Sequence, residues 1–412
     1  MSVATPPTRR GPLERREARL AWSLLLPTIT IVSLVVVLPL LAIFWISFKP
    51  IGLADLRPVT PVVREDLRNA GDPDQAVRYR VQNRSQDTPI EGVIFRDRIP
   101  EGATLGTLPE ECSLEGATLT CDVGTLPPTE RLTFLIPVTL DGDPDALEDA
   151  LEDDTPVEAT GTADSILTNT TFTAENFLRI FDAQEFWGVM GVTIFYTVFG
   201  TLGAIIFGLF AAMLLNKSFR GQGILRGLYL FPYVAPVIAV AFTWVNLFDP
   251  FSGSANALLI QMGVTEEAIN FFGQRPLALI MVTVFEIWRY FPLSFLFILA
   301  RMQSIDTDMY EAADMDGASP FQKFWYLSLP MLLGILSVLF LLRFIWTFNK
   351  FDDIFLLTGG NAGTRTLTVN VYEQAFAISN IGAGAAVAVV IFACLLAFSF
   401  FFFKFISREE GL

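Results

Sequence analysis

The sequence contains no histidine, three cysteines and only 28 lysines and arginines against 43 acidic residues. Because imidazole is the usual general base and the commonest metal ligand, its absence excludes histidine-based catalysis and histidine-ligated metals. The glycine-rich run at residues 359–364 lacks both the lysine and the spacing of a G-x-x-x-x-G-K-[ST] phosphate loop. We find no nucleic-acid module and no nucleophile–base set. We therefore predict a non-enzymatic chain with no cofactor and no metal of its own.

Charge and hydropathy are unevenly distributed along the 412 residues. The chain is 52% hydrophobic, contains 38 phenylalanines and has a mean hydropathy of +0.49. Residues 51–185 contain 27 acidic residues and 10 arginines, whereas the remainder contains 16 acidic and 18 basic residues. An acidic block and a nearly neutral apolar block indicate two environments, one aqueous and one lipid.

Six apolar runs are each long enough to cross a bilayer, which requires about 20 residues. They lie at residues 21–48, 187–215, 223–248, 277–299, 324–348 and 381–405. The third run is interrupted by Pro232 and Pro236, and residues 173–186 are typical of an amphipathic surface helix. The polar segment 1–20 contains five arginines, and basic residues also follow the second and sixth runs, so both termini are predicted to be cytoplasmic. We predict an all-α polytopic membrane protein of six transmembrane helices.

An inserted domain at residues 50–176 interrupts this pattern. Short segments alternate apolar and polar residues, as at 77–81, 93–95, 119–123 and 132–138, with turn residues between them. This pattern predicts an extracytoplasmic β-sandwich. Cys112 and Cys121 flank a predicted hairpin and would form a disulfide outside the cytoplasm, although two buried thiols are an alternative. Cys394 lies in an apolar run and is interpreted as a packing residue.

The segment 141–154 places carboxylates at positions 1, 3, 5, 9 and 12 of an EF-hand-like loop. Position 6 is Ala146 instead of glycine, however, and Pro144 restricts the turn. We therefore interpret this segment as a solvated acidic linker and predict no metal site.

A polar segment at 305–330 separates two apolar runs and has a distinctive spacing. Glu311-Ala312-Ala313 precedes Gly317 by a fixed interval, and Leu327-x-Leu329-Pro330 follows. Tyr310, Ala313 and Gly317 fall on one helical stripe, where small residues permit close approach. The glycine should mark a turn or a tight contact. Pro330 falls where a new membrane helix is expected to begin.

This segment resembles the EAA loop of ABC-importer permeases, with Leu327 in place of the usual isoleucine. The resemblance implies a coupling helix that docks onto a separate ATPase subunit. The residues implied at that joint are Glu311, Ala312, Ala313, Gly317, Leu329 and Pro330.

Residues 21–48 and 186–408 resemble the maltose-permease branch of carbohydrate importers. Besides the coupling loop, the resemblance rests on Leu214-Leu215-Asn216, Phe348-Asn349-x-Phe351 and Leu356-Leu357-Thr358-x-Gly360. It implies a bacterial inner-membrane subunit that imports a carbohydrate such as an oligosaccharide, disaccharide or polyol. The implied partners are a second permease, two ATPase subunits that bind ATP and magnesium, and an extracytoplasmic solute-binding protein.

Several polar residues lie within the predicted spans, where charges usually face a bundle interior or an aqueous path. Glu286 and Arg289 are one helical turn apart, so an internal ion pair between them is one interpretation. The other is a substrate site, because aromatic rings beside polar groups suit sugars. Alignment with the family places six residues at sugar contacts: Tyr290, Leu293, Arg343, Trp346, Thr347 and Lys350. Arg343 and Lys350 depart from the family pattern, which leaves an anionic sugar derivative such as glycerol phosphate as an alternative.

Residues 74–140 resemble the Ig-like repeat modules of bacterial surface proteins. The shared motif comprises residues 97–102, Cys112, Gly116, Cys121 and Gly124-Thr125-Leu126. In the maltose-permease branch, an insert of a different fold also follows the first helix of the six-helix core and helps engage the binding protein. That resemblance implies a role in docking or ordering the binding protein here, with envelope attachment or a passive spacer as alternatives. Two rival functions for the chain are a membrane-anchored Ig-like adhesin or sensor and an ion-driven secondary transporter. Neither rival explains the spacing at 305–330.

Overall fold

The computed structural model describes residues 12–53, 55, 59–69, 72–85, 88–100, 102–140, 157–164, 169–182 and 184–405. The chain forms two compact units. We call Phe48–Asn176 with Ser379–Gly382 the β unit. The membrane unit comprises Met1–Ser47, Phe177–Ile378 and Ala383–Leu412. The acidic segment 141–154 lies outside the described residues.

Among the described residues of the membrane unit, five helices are long and apolar enough to cross a bilayer. They are Arg16–Ser47, Phe186–Leu215, Leu277–Gln303, Pro320–Phe348 and Ile381–Lys404. The predicted span at 223–248 is instead two helices, Gln222–Val234 and Val237–Leu247, bent by 90°. Ala235 between them is extended, with ψ of 142°, because a following proline disfavours the helical conformation. The predicted count of six holds only if this bent pair is one span.

We number the helices in chain order and treat the π-helical turns as parts of the spans. The long helices are α1 and α2 (Pro12–Val32 and Leu38–Ser47, joined by the π-helical turn Ser33–Val37), α4 (Phe186–Leu215), α5 (Gln222–Val234), α6 (Val237–Leu247), α8 (Leu277–Gln303), α11 (Leu329–Phe348) and α14 (Ile381–Phe405). The short helices are α3 (Glu175–Asp182), α7 (Ser254–Gln261), α9 (Thr307–Met315), α10 (Pro320–Lys323), α12 (Asp352–Thr358) and α13 (Leu367–Tyr372). The first helix thus extends well before residue 21, and the predicted amphipathic helix at 173–186 is shorter than expected.

Glycines allow α4 and α8 to pack closely. A Cβ atom at Gly208 would lie 2.8 Å from the backbone nitrogen of Phe295, and one at Gly203 would lie 2.3 Å from the Ile287 side chain. Small residues at a membrane helix interface let backbones approach each other. The glycines of α4 therefore serve helix packing, and the contact fixes α8, which carries Glu286, Tyr290 and Leu293 of the candidate site.

The β unit contains two four-stranded antiparallel sheets, ordered β1-β2-β7-β4 and β5-β6-β3-β8. The strands are β1 (Val62–Arg68), β2 (Ala76–Gln82), β3 (Ile90–Arg98), β4 (Ala103–Leu105), β5 (Cys112–Glu115), β6 (Thr118–Leu126), β7 (Arg131–Leu140) and β8 (Glu158–Thr162). Alternate residues are buried along β2, and one core combines Tyr79 and Ile136 of the first sheet with Phe95 and Leu119 of the second. The predicted strand segments lie within β2, β3, β6 and β7. A specific relation to Ig-like repeats stays a prediction.

Cys112 and Cys121 occupy directly opposed positions on β5 and β6. The structure joins their sulfur atoms in a disulfide that is buried in the β unit. Cys394 is a free, half-buried thiol in the last span.

Candidate functional site

Glu286 is the centre of a buried polar cluster in the membrane unit. Its carboxylate accepts hydrogen bonds from Arg343 Nη2 at 2.6 Å, Thr347 Oγ1 at 2.9 Å and the Tyr196 hydroxyl at 3.0 Å. The four side chains come from α4, α8 and α11, and Glu286 itself is 0% exposed. A charge inside a span is costly without such partners. The cluster therefore ties three membrane helices together.

The interpretation in which Glu286 pairs with Arg289 is wrong. Arg289 instead donates to the backbone oxygen of Ala235 at 3.3 Å and lies 3.8 Å from the carboxylate of Asp353. The physical reason is that Arg343 approaches Glu286 directly from the facing helix. Arg289 is then available to the carbonyl group at the break of the bent helix pair, which lacks a regular helical environment.

Lys350 and Tyr290 form the second half of the cluster. The Lys350 ammonium donates to the Tyr290 hydroxyl and lies 3.3 Å from Asp352 and 3.6 Å from Asp353. It also lies 4.4 Å from the centre of the Tyr290 ring, and the guanidinium carbon of Arg343 lies 4.5 Å from the same centre. Cations near an aromatic face are attracted by its quadrupole. Arg289 lies farther off, with its guanidinium carbon 5.6 Å from the ring centre. Tyr290 is therefore engaged by three cations of this chain.

A cavity of about 130 Å³ opens between these residues. Its lining consists of Tyr233, Glu286, Tyr290, Leu293, Arg343, Trp346 and Lys350. Five of the six residues predicted at sugar contacts line this cavity, whereas Thr347 lies behind it, bonded to Glu286. Trp346 is 51% exposed and Tyr233 39% exposed. The predicted residues are thus brought together, and their assignment as substrate contacts stays a prediction.

The sequence did not identify Tyr233 as a residue that lines the cavity. It also did not identify Glu286 as the residue that accepts hydrogen bonds from the other members of the cluster. The available signal for Tyr233 was its position between Pro232 and the break at Ala235. Broken membrane helices commonly place functional groups near the middle of the bilayer. Glu286 was recognised as an intramembrane charge, but its partner on another helix was not.

A larger cavity of about 480 Å³ lies elsewhere in the membrane unit. Its lining includes Arg275, Arg365 and Glu185 but none of the residues predicted for substrate. Arg365 is already paired with Glu185 at 2.9 Å and Glu373 at 3.0 Å. Size alone therefore does not identify the functional site. Within the described residues, no group of three or more acidic or cysteine side chains is placed to hold a metal.

The segment predicted to couple to an ATPase is a capped helix followed by a turn. Asp306 caps α9 by accepting from the backbone of Asp308 at 3.1 Å. Glu311 and Ala312 are exposed, and Ala313 is half-buried. Gly317 has a positive φ of 76° and nothing within 4 Å of the position of a Cβ atom. The glycine therefore serves the turn and not a close contact.

The expected small-residue stripe on this segment needs correction. It ends at Ala313, because Gly317 lies beyond the end of α9. The candidate membrane span begins at Pro320, earlier than the predicted residue 324, whereas its regular α-helical part, α11, begins at Leu329 with Pro330 in its first turn, as expected. Since Pro330 has no N–H and would clash with a regular helix, the chain widens into the π-helical turn Phe324–Ser328. Leu329 there donates to the carbonyl of Phe324.

Known proteins resemble the membrane unit. A family model described as "Binding-protein-dependent transport system inner membrane component" matches residues 204–409. The inner membrane ABC transporter permease protein YcjO of Escherichia coli (strain K12) is 36% identical over 223 residues, which cover 54% of this chain and 75% of YcjO. The trehalose/maltose transport system permease protein MalF of Thermococcus litoralis is 33% identical over 230 residues, which cover 56% of this chain and 77% of MalF.

The fold of the membrane unit also has a solved counterpart. A chain of a bacterial ABC transporter that imports the acidic polysaccharide alginate superposes with a TM-score of 0.53 at 18% sequence identity. The match covers 58% of this chain and 86% of that one. At this identity the likeness shows a shared fold and carries no argument about substrate.

Proposed function

Because the chain belongs to the family of binding-protein-dependent transport system inner membrane components, we propose that it is the permease subunit of an ATP-driven carbohydrate importer. The observation that carries the substrate class is the charge-balanced, aromatic-lined cavity around Glu286 and Tyr290. The similarity to a trehalose/maltose permease supports the same class.

The charges near the cavity favour a neutral carbohydrate over an anionic derivative. Three carboxylates, Glu286, Asp352 and Asp353, lie beside three cations, Arg289, Arg343 and Lys350. The Arg343–Glu286 pair is nearly fully buried and hydrogen-bonded. An anionic head group would have to displace a carboxylate from these cations, and separating a buried pair is expensive.

The aromatic surface offered to a sugar comes from Trp346 and Tyr233. Sugars present apolar C–H faces that pack on aromatic rings, whereas the Tyr290 ring already has three cations near its face. Tyr290, predicted as a direct contact, would then act mainly by holding Lys350 and Arg343. A cavity of about 130 Å³ is small beside the roughly 300–1,000 Å³ of typical ligand sites. We propose that a second permease subunit supplies the remaining wall.

The proposed assembly contains this chain, a second permease, two ATPase subunits that bind ATP and magnesium, and an extracytoplasmic solute-binding protein. It resides in the bacterial inner membrane with both chain termini in the cytoplasm. Closure of the ATPase subunits would push on Glu311–Gly317, and the helical core would alternate between inward-open and outward-open states. The exposed side chains of Glu311 and Ala312 on α9 suit such a contact.

Purification in mild detergent from the native host, followed by mass spectrometry, tests this function. We expect an ATPase, a second permease and a solute-binding protein in the preparation, and ATP hydrolysis stimulated by a neutral disaccharide or polyol. Stimulation by glycerol phosphate alone would replace the neutral substrate with the anionic alternative. Recovery of this chain alone after gentle crosslinking would favour the anchored adhesin or sensor, and transport without ATP would favour the secondary transporter.

Replacing Gly317 by alanine tests the coupling segment. A non-glycine residue in the left-handed region costs roughly 1–2 kcal/mol, so the turn after α9 should shift and move Glu311. Together with Glu311→Ala, we expect transport to fall strongly while insertion and ATP hydrolysis persist. Gly223→Ala is the control, since it lies in α5, has ordinary φ and has open space around a Cβ atom. Full transport by the double variant would contradict the proposal.

For the β unit we propose a role in docking or ordering the solute-binding protein. Its position as an insert after the first span and its separate core support an independent module. Deleting residues 52–172 should weaken binding of the solute-binding protein to the membrane complex. Unchanged affinity would leave envelope attachment or a passive spacer as the role.

A further inference from the structure

One hydrogen bond connects the coupling helix directly to a membrane span. The Tyr310 hydroxyl lies 2.9 Å from Ser328 Oγ, across 18 residues of sequence. Tyr310 is half-buried beside Ala313 on the inner side of α9, whereas the neighbouring Glu311 faces outward. The helix therefore presents one residue to solvent and the next to the span that follows.

Ser328 lies at an irregular turn of the membrane span. It is 6% exposed and ends the π-helical turn Phe324–Ser328, immediately before Leu329-Pro330. Its hydroxyl lies 3.5 Å from the carbonyl of Lys323. Single π-helical turns inside α-helices occur frequently at functional sites. The tyrosine thus bonds the span at its least regular turn.

The other polar contacts of this segment are more exposed. Lys323 pairs with Asp314 at 2.6 Å, but the aspartate side chain is 60% exposed. Arg301 donates to the carbonyl of Met331 at 3.2 Å from an exposed side chain. Exposed ion pairs contribute little because water and salt screen them. The bond between the tyrosine and the serine is the more sheltered connection.

The helix that begins after this turn reaches the candidate substrate cavity. Helix α11 runs without interruption from Leu329 to Phe348 and carries Arg343, Trp346 and Thr347. At 1.5 Å per residue, Ser328 and Thr347 are about 28 Å apart along the axis. One span therefore carries Ser328 near its start and residues that bond Glu286 or line the cavity near its end.

We propose that Tyr310 is a positioning residue that transmits movement of the coupling helix to α11 through Ser328. This inference rests on the proposed function, because it requires an ATPase acting on α9. The hydroxyl, not the ring, carries the role. Loss of a neutral hydrogen bond changes an equilibrium by a factor of about 2 to 10.

The test measures solute imported per ATP hydrolysed by the reconstituted complex. Tyr310→Phe should lower this ratio about 2- to 10-fold while the amount of bound ATPase stays the same. The matched control is Tyr326→Phe, which removes a hydroxyl from the same turn. Tyr326 is 78% exposed, and its hydroxyl makes no hydrogen bond within the described part of the chain, so the control should behave as wild type.

Variants of the serine make the test independent of any effect on the tyrosine ring. Ser328→Ala should reproduce the Tyr310→Phe defect, Ser328→Thr should retain coupling, and Tyr310→Phe with Ser328→Ala should be no worse than either alone. Wild-type coupling in Tyr310→Phe, or additive defects in the double variant, would overturn this inference and leave the proposed function unaffected. A wild-type complex without an ATPase overturns the proposed function and the inference with it.

Discussion

The two units of the molecule bury carboxylates by different means. In the membrane unit, Glu286 is 0% exposed and bonds Arg343, Thr347 and Tyr196. In the β unit, Asp97 is 2% exposed and accepts a hydrogen bond from the Tyr79 hydroxyl. Burial raises the pKa of Asp97, and that of Tyr79 is raised by burial and by the carboxylate beside it. The first unit stabilises a charge with a cation, and the second favours a bound proton.

This difference teaches what each buried acid is suited to do. A carboxylate paired with a guanidinium holds helices in one arrangement and keeps a polar cavity neutral overall. A carboxylate buried against a hydroxyl makes folding depend on pH.

Removing Glu286 should strongly destabilise the membrane unit. Glu286→Leu leaves Arg343 buried without its carboxylate, and breaking a buried pair in this way costs about 3–5 kcal/mol. Replacing both residues by leucine should recover most of that loss, because no unpaired charge remains. The measurement is thermal unfolding in detergent, with Glu311→Leu as the exposed control. Equal losses in the single and double variants would show that the pair itself contributes the stability.

Removing the disulfide should have an intermediate effect confined to the β unit. Cys112 and Cys121 are 9 residues apart, and closing so short a loop stabilises a fold by about 2–3 kcal/mol. Replacing both by serine should lower the temperature at which protease cleaves the β unit in the intact protein. Cys394→Ser, in the last span, is the matched control. A comparable loss in the membrane unit would contradict two separately stable units.

Asp97 should give the smallest effect, visible as a pH dependence. Because its folded pKa lies above the unfolded value, its contribution is fully present below the unfolded pKa and is lost as pH rises through the folded pKa. The wild-type β unit should therefore lose stability relative to Asp97→Asn as pH rises from acidic toward neutral. Asparagine still accepts from Tyr79 without a charge. Protease resistance of both proteins across pH measures this, and parallel curves would refute it.

The coupling segment and the cavity differ in how far sequence could predict them. The segment at 305–330 was recognisable because its residues interact within a few turns, so their spacing encodes the capped helix, the Gly317 turn and the span that follows. Even there the π-helical turn was missed, since it follows from how a continuing helix accommodates Pro330. The spans and their approximate ends were predictable because the bilayer fixes the length of apolar runs.

The cavity is formed by residues that are far apart in the sequence, and local spacing does not specify their contacts. Five of the residues predicted from the family alignment line the cavity, and their role as substrate contacts stays a prediction. Helical spacing suggested the wrong partner for Glu286, because a neighbour one turn away competes with residues on other helices. Tyr233 reaches the cavity through the bend at Ala235, whose angle depends on packing of the whole bundle.

The sequence by itself determined the membrane class of this protein, its inserted strands and its family resemblance, because hydropathy, alternation and short-range spacing are local properties of the chain. Only the tertiary structure decided that Arg343 neutralises Glu286, that Arg289 serves the helix break and that Tyr310 bonds Ser328. Each of these pairings is 18 or more residues apart in sequence. Which residues pair at such separations depends on which helices pack together, and helix packing is determined by the whole tertiary structure.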